Sequence, residues 1–90
     1  MYQITAIHLV GGTLHQHISE MQYYLLPNGS TLTASRADMV AYVDQHPNDV
    51  VVNHGGRTIG VGSVHEQYVS YVRTHADGYY NDNLLALPRY

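Results

Sequence analysis

Apolar and polar positions alternate through much of this chain, and the alternation reads as strands. YQITAIHLV, positions 2–10, is strand-like, and Gly11-Gly12 follows it as a turn. A two-residue turn there would pair Val10 with Thr13, Leu9 with Leu14 and His8 with His15. Ile7, Leu9, Leu14 and Ile18 then share one face, the expected core, while His8, His15 and His17 share the other. HISEMQYYLL continues as a second strand. LPNGS puts Pro27 and Gly29 where a type I turn wants them, and a short strand around Ser30 to Thr33 follows.

In SRADMVAYVDQHP the period changes to that of a helix. Ser35 can cap it, and Asp38, three residues on, suits both the cap and the helix dipole. Met39, Val40 and Val43 make an apolar stripe, and Pro47 enforces the stop. VVVNHGGRTIGV then reads as a hairpin about Gly55-Gly56, aligning Val50 and Val52 with Val61 and Ile59. QYVSYVRTH reads as a last strand, and NDNLLALP as one capped helical turn ended by Pro88. The expected fold is α+β. It comprises a mainly antiparallel sheet of about five strands, one covering helix over about 35–46 and a short helical turn near residue 85. Positions 1–90 are expected to form a single domain.

Composition narrows what such a fold can do. Nine tyrosines stand beside no Phe and no Trp, so the aromatic positions all carry a hydroxyl that needs a partner when buried. The lack of cysteine excludes disulfides, thiolate metal sites and thiol catalysis. No lysine is present, and the four arginines are scattered at 36, 57, 73 and 89 in a chain of formal charge −3. Nucleic-acid binding, which rests on clustered cations, is therefore not expected. No long apolar run and no leader-like segment appears near Met1, so no membrane association and a cytoplasmic location are expected.

Tyr71-Val72-Arg73-Thr74, Asp77-Gly78 and Asp82-Asn83-Leu84-Leu85-Ala86-Leu87-Pro88 form a distinctive ending. With Gly11-Gly12, the run His15 to Ile18 and the segment Arg36 to Val40, they resemble a family of small prokaryotic proteins catalogued as a domain of unknown function. The resemblance spans nearly the whole chain. It implies a compact stand-alone domain, and it brings no activity and no catalytic residues.

Three constellations carry possible chemistry. His8, His15 and His17 on one ribbon face would offer imidazoles to zinc, nickel or copper, the alternative being a solvated polar face. Glu20 falls on the opposite face in this register, so no fourth ligand is evident. Arg73 with Tyr71 could hold a carboxylate or phosphate. The favoured reading is instead a brace, in which Arg73 pairs with Asp77 or Asp82, or bonds exposed carbonyls, and pins the chain's end. Asp77-Gly78 reads as a turn, and Asn81 and Asp82 as caps. The leucines of NLLALP read as anchors, docking on their own sheet or on a neighbouring subunit. Serines at 19, 30, 35, 63 and 70 lack a nucleophile-elbow motif, and GVGSVH lies in a strand rather than before a helix, so nucleophilic catalysis and a phosphate loop are not expected.

The sequence thus points to a non-enzymatic binding domain without a cofactor. It is expected to self-associate and to bind a protein or a small anionic ligand. Tyr23, Tyr24, Tyr68, Tyr71, Tyr79 and Tyr80 supply candidate contact area, and Arg57 and Arg73 the charged anchors. A histidine-based metal protein or metal-dependent hydrolase is the alternative, and a structural subunit of a larger assembly a third reading.

Overall fold

The computed structural model describes residues 1–54, 56–74 and 84–90. Its elements are β1 (Tyr2–Leu9), a 3-10 turn (His15–His17), β2 (Ile18–Leu25), β3 (Thr31–Ser35), α1 (Arg36–Gln45), β4 (Val50–His54), β5 (Arg57–His65) and β6 (Ser70–Thr74). The strands form one six-stranded sheet in the order β3-β2-β1-β4-β5-β6. The fold is α+β in broad terms, but the sheet has six strands rather than about five, and it is mixed. β1 runs parallel to β4, with Tyr2 opposite Val50 and Gln3 opposite Val51, whereas every other strand pair is antiparallel.

The parallel pair follows from connectivity. Two successive reversals leave β3 running in the direction of β1, and α1 carries the chain back so that β4 starts in that same direction. Alternation within a strand cannot reveal this, because a strand's own pattern does not name its neighbour.

The helix forms where the sequence places it. Ser35 Oγ accepts the Asp38 backbone N–H at 3.1 Å, and Met39, Val40 and Val43 are buried. His46 precedes Pro47 and leaves the helical region at φ −131 and ψ 69, in keeping with the bias of a pre-proline residue away from the α region. The β4–β5 hairpin also has the expected register, with Val52 opposite Ile59 and His54 opposite Arg57.

The β1–β2 connection departs from expectation. His8 lies opposite Glu20 and Leu9 opposite Ile18, so the chain between them is a longer loop closed by Val10 N–H on the His17 carbonyl at 2.9 Å. Gly11 takes φ +80, and a Cβ on Gly12 would lie 2.5 Å from the His17 ring. The glycines therefore admit an imidazole rather than a two-residue turn. His17 Nδ1 accepts the Leu14 N–H at 3.1 Å, which holds Leu14 in the loop and exposed rather than in the core. The turn after β2 is also wider than type I. Gly29 N–H bonds the Leu25 carbonyl at 2.7 Å, and the Leu26–Pro27 peptide is cis.

Two bulges adjust β1 against β2. The register shifts between Ile4 and Ala6 and again between His8 and Leu9. At the first, Thr5 Oγ1 bonds the Gln22 carbonyl at 3.4 Å. At the second, Ser19 Oγ bonds the His8 carbonyl at 3.2 Å. Such bulges break strict alternation, which is why Ile4 and Ile7 are both fully buried despite their odd separation. They join Ile18, Met21, Val50, Val52, Val61, Val72 and Leu84 in one cluster under α1's Met39, Val40 and Val43.

Leu84 is fully buried, and Leu85 and Leu87 pack against the same cluster. Beyond them the chain adds to β1 where β4 has diverged. Ile7 N–H donates to the Pro88 carbonyl at 2.9 Å, and Tyr90 N–H donates to the Ile7 carbonyl at 3.1 Å. The leucines thus dock on their own sheet, as a latch. Leu87 N–H bonds the Leu84 carbonyl at 3.3 Å, closing the expected turn. Its expected caps, Asn81 and Asp82, lie outside the described residues.

Candidate functional site

Three tyrosines from three elements meet between α1 and the sheet. Tyr2 comes from β1, Tyr23 from β2 and Tyr42 from α1. Tyr2 stands edge-on to both others, with ring centroids 5.3 Å from Tyr23 at 74° and 5.4 Å from Tyr42 at 88°. The β1–β2 register puts Ile4 opposite Tyr23 and Tyr2 opposite Leu25, so Tyr2 and Tyr23 are diagonal neighbours within reach of aromatic rings. Together with Thr33, Ala34, Asp38, Met39 and Val50 these rings line a cleft of about 260 Å³. Met39 and Val50 are its buried floor, and the Asp38 carboxylate is exposed.

The far side of Tyr42 is fixed by charge. Its hydroxyl donates to Asp49 Oδ2, and His46, one helical turn on, tilts over its ring at 4.5 Å. The Asp49 bond, then burial, pushes the Tyr42 hydroxyl up to about 12. The same bond holds the Asp49 carboxyl below its ordinary range. Tyr42 therefore stays protonated and donating, and hydrogen bonding to a carboxylate makes its ring face more electron-rich.

A second polar cluster lies on the β5–β6 side of α1. Asp44 receives the Ser63 hydroxyl on Oδ1, and His65 Nε2 lies 2.9 Å from Asp44 Oδ2. His65 Nδ1 lies 2.9 Å from Ser70 Oγ. The three sheet residues share a face by register, since Ser63 lies opposite Val72 and His65 opposite Ser70. Ser63 first, then His65, hold the Asp44 carboxyl below its ordinary range. Beside the cluster is a groove of about 370 Å³ lined by Arg36, Val40, Asp44, Tyr68, Val69 and Ser70, among others.

The residues expected to share sites are distributed differently. His8 faces the latch, where its Nδ1 bonds the Tyr90 carbonyl oxygen and its ring lies 5.5 Å from that of Tyr90. His15 is buried and stacks on Tyr71 at 6.3 Å and 25°, and His17 lies over Gly12. The longer β1–β2 loop is what separates them: the His8–His15 pairing does not form. Among the described residues no group of three or more His, Asp or Glu is placed to hold a metal ion.

Tyr71 is also buried, and its hydroxyl donates to Glu66 Oε1 at 2.8 Å. That bond raises its pKa above the ordinary tyrosine value, with nearby Arg73 acting the other way. Arg73 lies opposite Gly62 on β6, and Arg57 is exposed at the start of β5. Asp77, Asp82, Tyr79 and Tyr80 lie outside the described residues, so the brace expected of Arg73 does too. Tyr24 bonds Gln3 Oε1 at 3.4 Å, and Tyr68 is 91% exposed.

A family model described as "Protein of unknown function (DUF3892)" matches residues 3–88. The chain belongs to the DUF3892 family. Comparison with curated proteins and with solved structures gave no match. In this DUF3892 chain the latch residues Leu84 to Pro88 and the cleft residues Tyr23 and Tyr42 fall within the matched span, and Tyr2 immediately precedes it.

Of the cleft's rings, only Tyr23 is among the tyrosines that the sequence marks as candidate contact area. A signal for Tyr42 was present in its spacing from His46, which puts the two rings on one helix face. Tyr2 gave no local signal, because its role depends on β1 lying between β2 and β4. No described helix is long and apolar enough to cross a membrane.

Proposed function

We propose that this protein is a binding domain whose ligand site is the Tyr2–Tyr23–Tyr42 cleft, and that the occupant is a small organic cation. The observation that carries this reading is the lining itself: three tyrosine rings and the Asp38 carboxylate, with no Arg or His among the described residues that form it. Electron-rich ring faces attract alkylammonium groups, and a nearby carboxylate supplies the counter-charge. Binding of an anion, expected from Arg57 and Arg73, has less support at this cleft. Those residues belong to β5 and β6, whereas β1 to β4 and α1 form the cleft.

A volume of about 260 Å³ lies at the small end of ligand pockets. It suits a compact head such as a trimethylammonium group better than an extended cofactor. The chain has no tryptophan, so its emission comes from its nine tyrosines, three of which line the cleft. Choline added to the wild type should change that emission saturably, and Tyr23→Ala should weaken binding roughly tenfold, the worth of one cation–π contact. Equal titration curves for the two proteins would remove the cleft as the site.

A further inference from the structure

We propose that Ser70, His65 and Asp44 form a nucleophilic relay that cleaves small carboxylic esters in the groove on the β5–β6 side of α1. This goes beyond the binding reading and concerns a separate place. The groove and the tyrosine cleft share no lining residue among the described ones.

The geometry assigns each group a role. Asp44 lies 2.9 Å from His65 Nε2, and a carboxylate there accepts, so that nitrogen carries the ring proton. Nδ1 is then the lone-pair nitrogen, and it lies 2.9 Å from Ser70 Oγ, so the serine hydroxyl is the donor. A hydroxyl bonded to a base that is itself oriented by a carboxylate is the general arrangement of an activated nucleophile. Here the ring nitrogens are used in the opposite sense to the serine proteases, with equivalent chemistry. Ser63 gives Asp44 a second anchor, which fixes the carboxylate while the imidazole exchanges protons.

The groove supplies the rest. Ser70 is among its lining residues, Val40 and Val69 offer apolar wall, and Arg36 is the cationic residue that lines it. The Arg36 guanidinium already donates to the Gln16 carbonyl, and its further N–H groups can meet a developing oxyanion.

In the reaction, Ser70 Oγ attacks the ester carbonyl carbon while its proton passes to His65 Nδ1. Collapse of the tetrahedral species breaks the bond to the alcohol oxygen, which leaves with that proton. Water then adds to the acyl-serine, giving a proton to His65 Nδ1. The second collapse breaks the serine–acyl bond, and the proton returns to Ser70 Oγ. One ester and one water become one acid and one alcohol.

The test uses a fluorophosphonate probe and p-nitrophenyl acetate on the full chain. Peptide mapping should find the phosphonyl mass on Ser70. His65→Gln should slow both labelling and ester turnover by about a hundredfold, the lower range for loss of a general base. Ser30→Ala, at an exposed serine away from the groove, should change neither. Circular dichroism of each variant separates chemical loss from unfolding, and labelling of the wild type decides the matter should Ser70→Ala fail to fold. Absence of a label on Ser70, or wild-type turnover by a folded Ser70→Ala, overturns the proposal and leaves the trio as a pin between helix and sheet.

Discussion

Tyr42 and Asp49 illustrate how one hydrogen bond sets the character of a site. The bond raises the tyrosine to about 12 and lowers the aspartate, so both shifts favour the same pair of states, neutral phenol and carboxylate. The stability signs follow. Tyr42's contribution is fully present below its unfolded value near 10 and is lost as pH rises towards about 12. Asp49's contribution is present above its unfolded value near 3.8 and is lost as pH falls below it. Tyrosine ionisation followed by ultraviolet absorbance should show a late-titrating class to which Tyr71 also belongs, and both Tyr42→Phe and Asp49→Asn should remove from it the step near 12. A step near 12 that survives both substitutions would place it on another tyrosine.

Gly12 makes a second case at this scale. Its missing Cβ leaves room for the His17 ring, which a methyl would meet at 2.5 Å. Gly12→Ala should displace the ring, break its bond to Leu14 N–H and cost about 1–2 kcal/mol in chemical denaturation. The sequence shows the glycines, but a Gly-Gly pair serves a tight turn and an imidazole seat equally well. The three-histidine face presupposes the two-residue turn, and in place of the His8–His15 pairing that such a turn gives, His8 lies opposite Glu20.

At the level of elements, segments whose signals are local were legible. The Ser35 cap, the Met39–Val40–Val43 stripe and the Pro47 stop lie within one helix, and they define α1 correctly. The β4–β5 register was legible too, because a two-residue turn fixes it from within. β1 and β2 were legible as strands but not in register, since bulges at Thr5 and Ser19 and the loop between them depend on contacts made elsewhere.

The latch is an element the sequence did identify, through its leucines, and the structure adds what it closes. Residues 88–90 take up the hydrogen bonds of Ile7 that β4 leaves open. Leu84, with no exposed surface, should lose about 3 kcal/mol when cut to Ala, the usual cost of an apolar truncation in a core. Leu32, exposed on β3, should lose little by the same substitution. Equal denaturation midpoints for the two variants would mean that the latch does not contribute to the core.

Across the whole molecule, function depends on what the sheet order brings together. Placing β1 between β2 and β4 puts Tyr2 beside both Tyr23 and the helix that carries Tyr42, and no stretch of sequence contains that arrangement. α1 then separates two surfaces of different chemistry. One is aromatic and acidic, and the other carries Asp44, His65, Ser70 and Arg36. His65 and Ser70 become neighbours through the β5–β6 pairing, which no motif along the chain encodes.

The tyrosine cleft is proposed to recognise positive charge rather than shape alone. The direct measurement is a pair of calorimetric titrations, one with choline and one with 3,3-dimethylbutan-1-ol, which has the same outline without the charge. The cleft as described predicts that choline binds at least roughly tenfold more tightly, with the preference abolished in Tyr42→Leu. Equal affinities for the two, or binding of the neutral alcohol alone, would contradict it and make the cleft a plain apolar pocket.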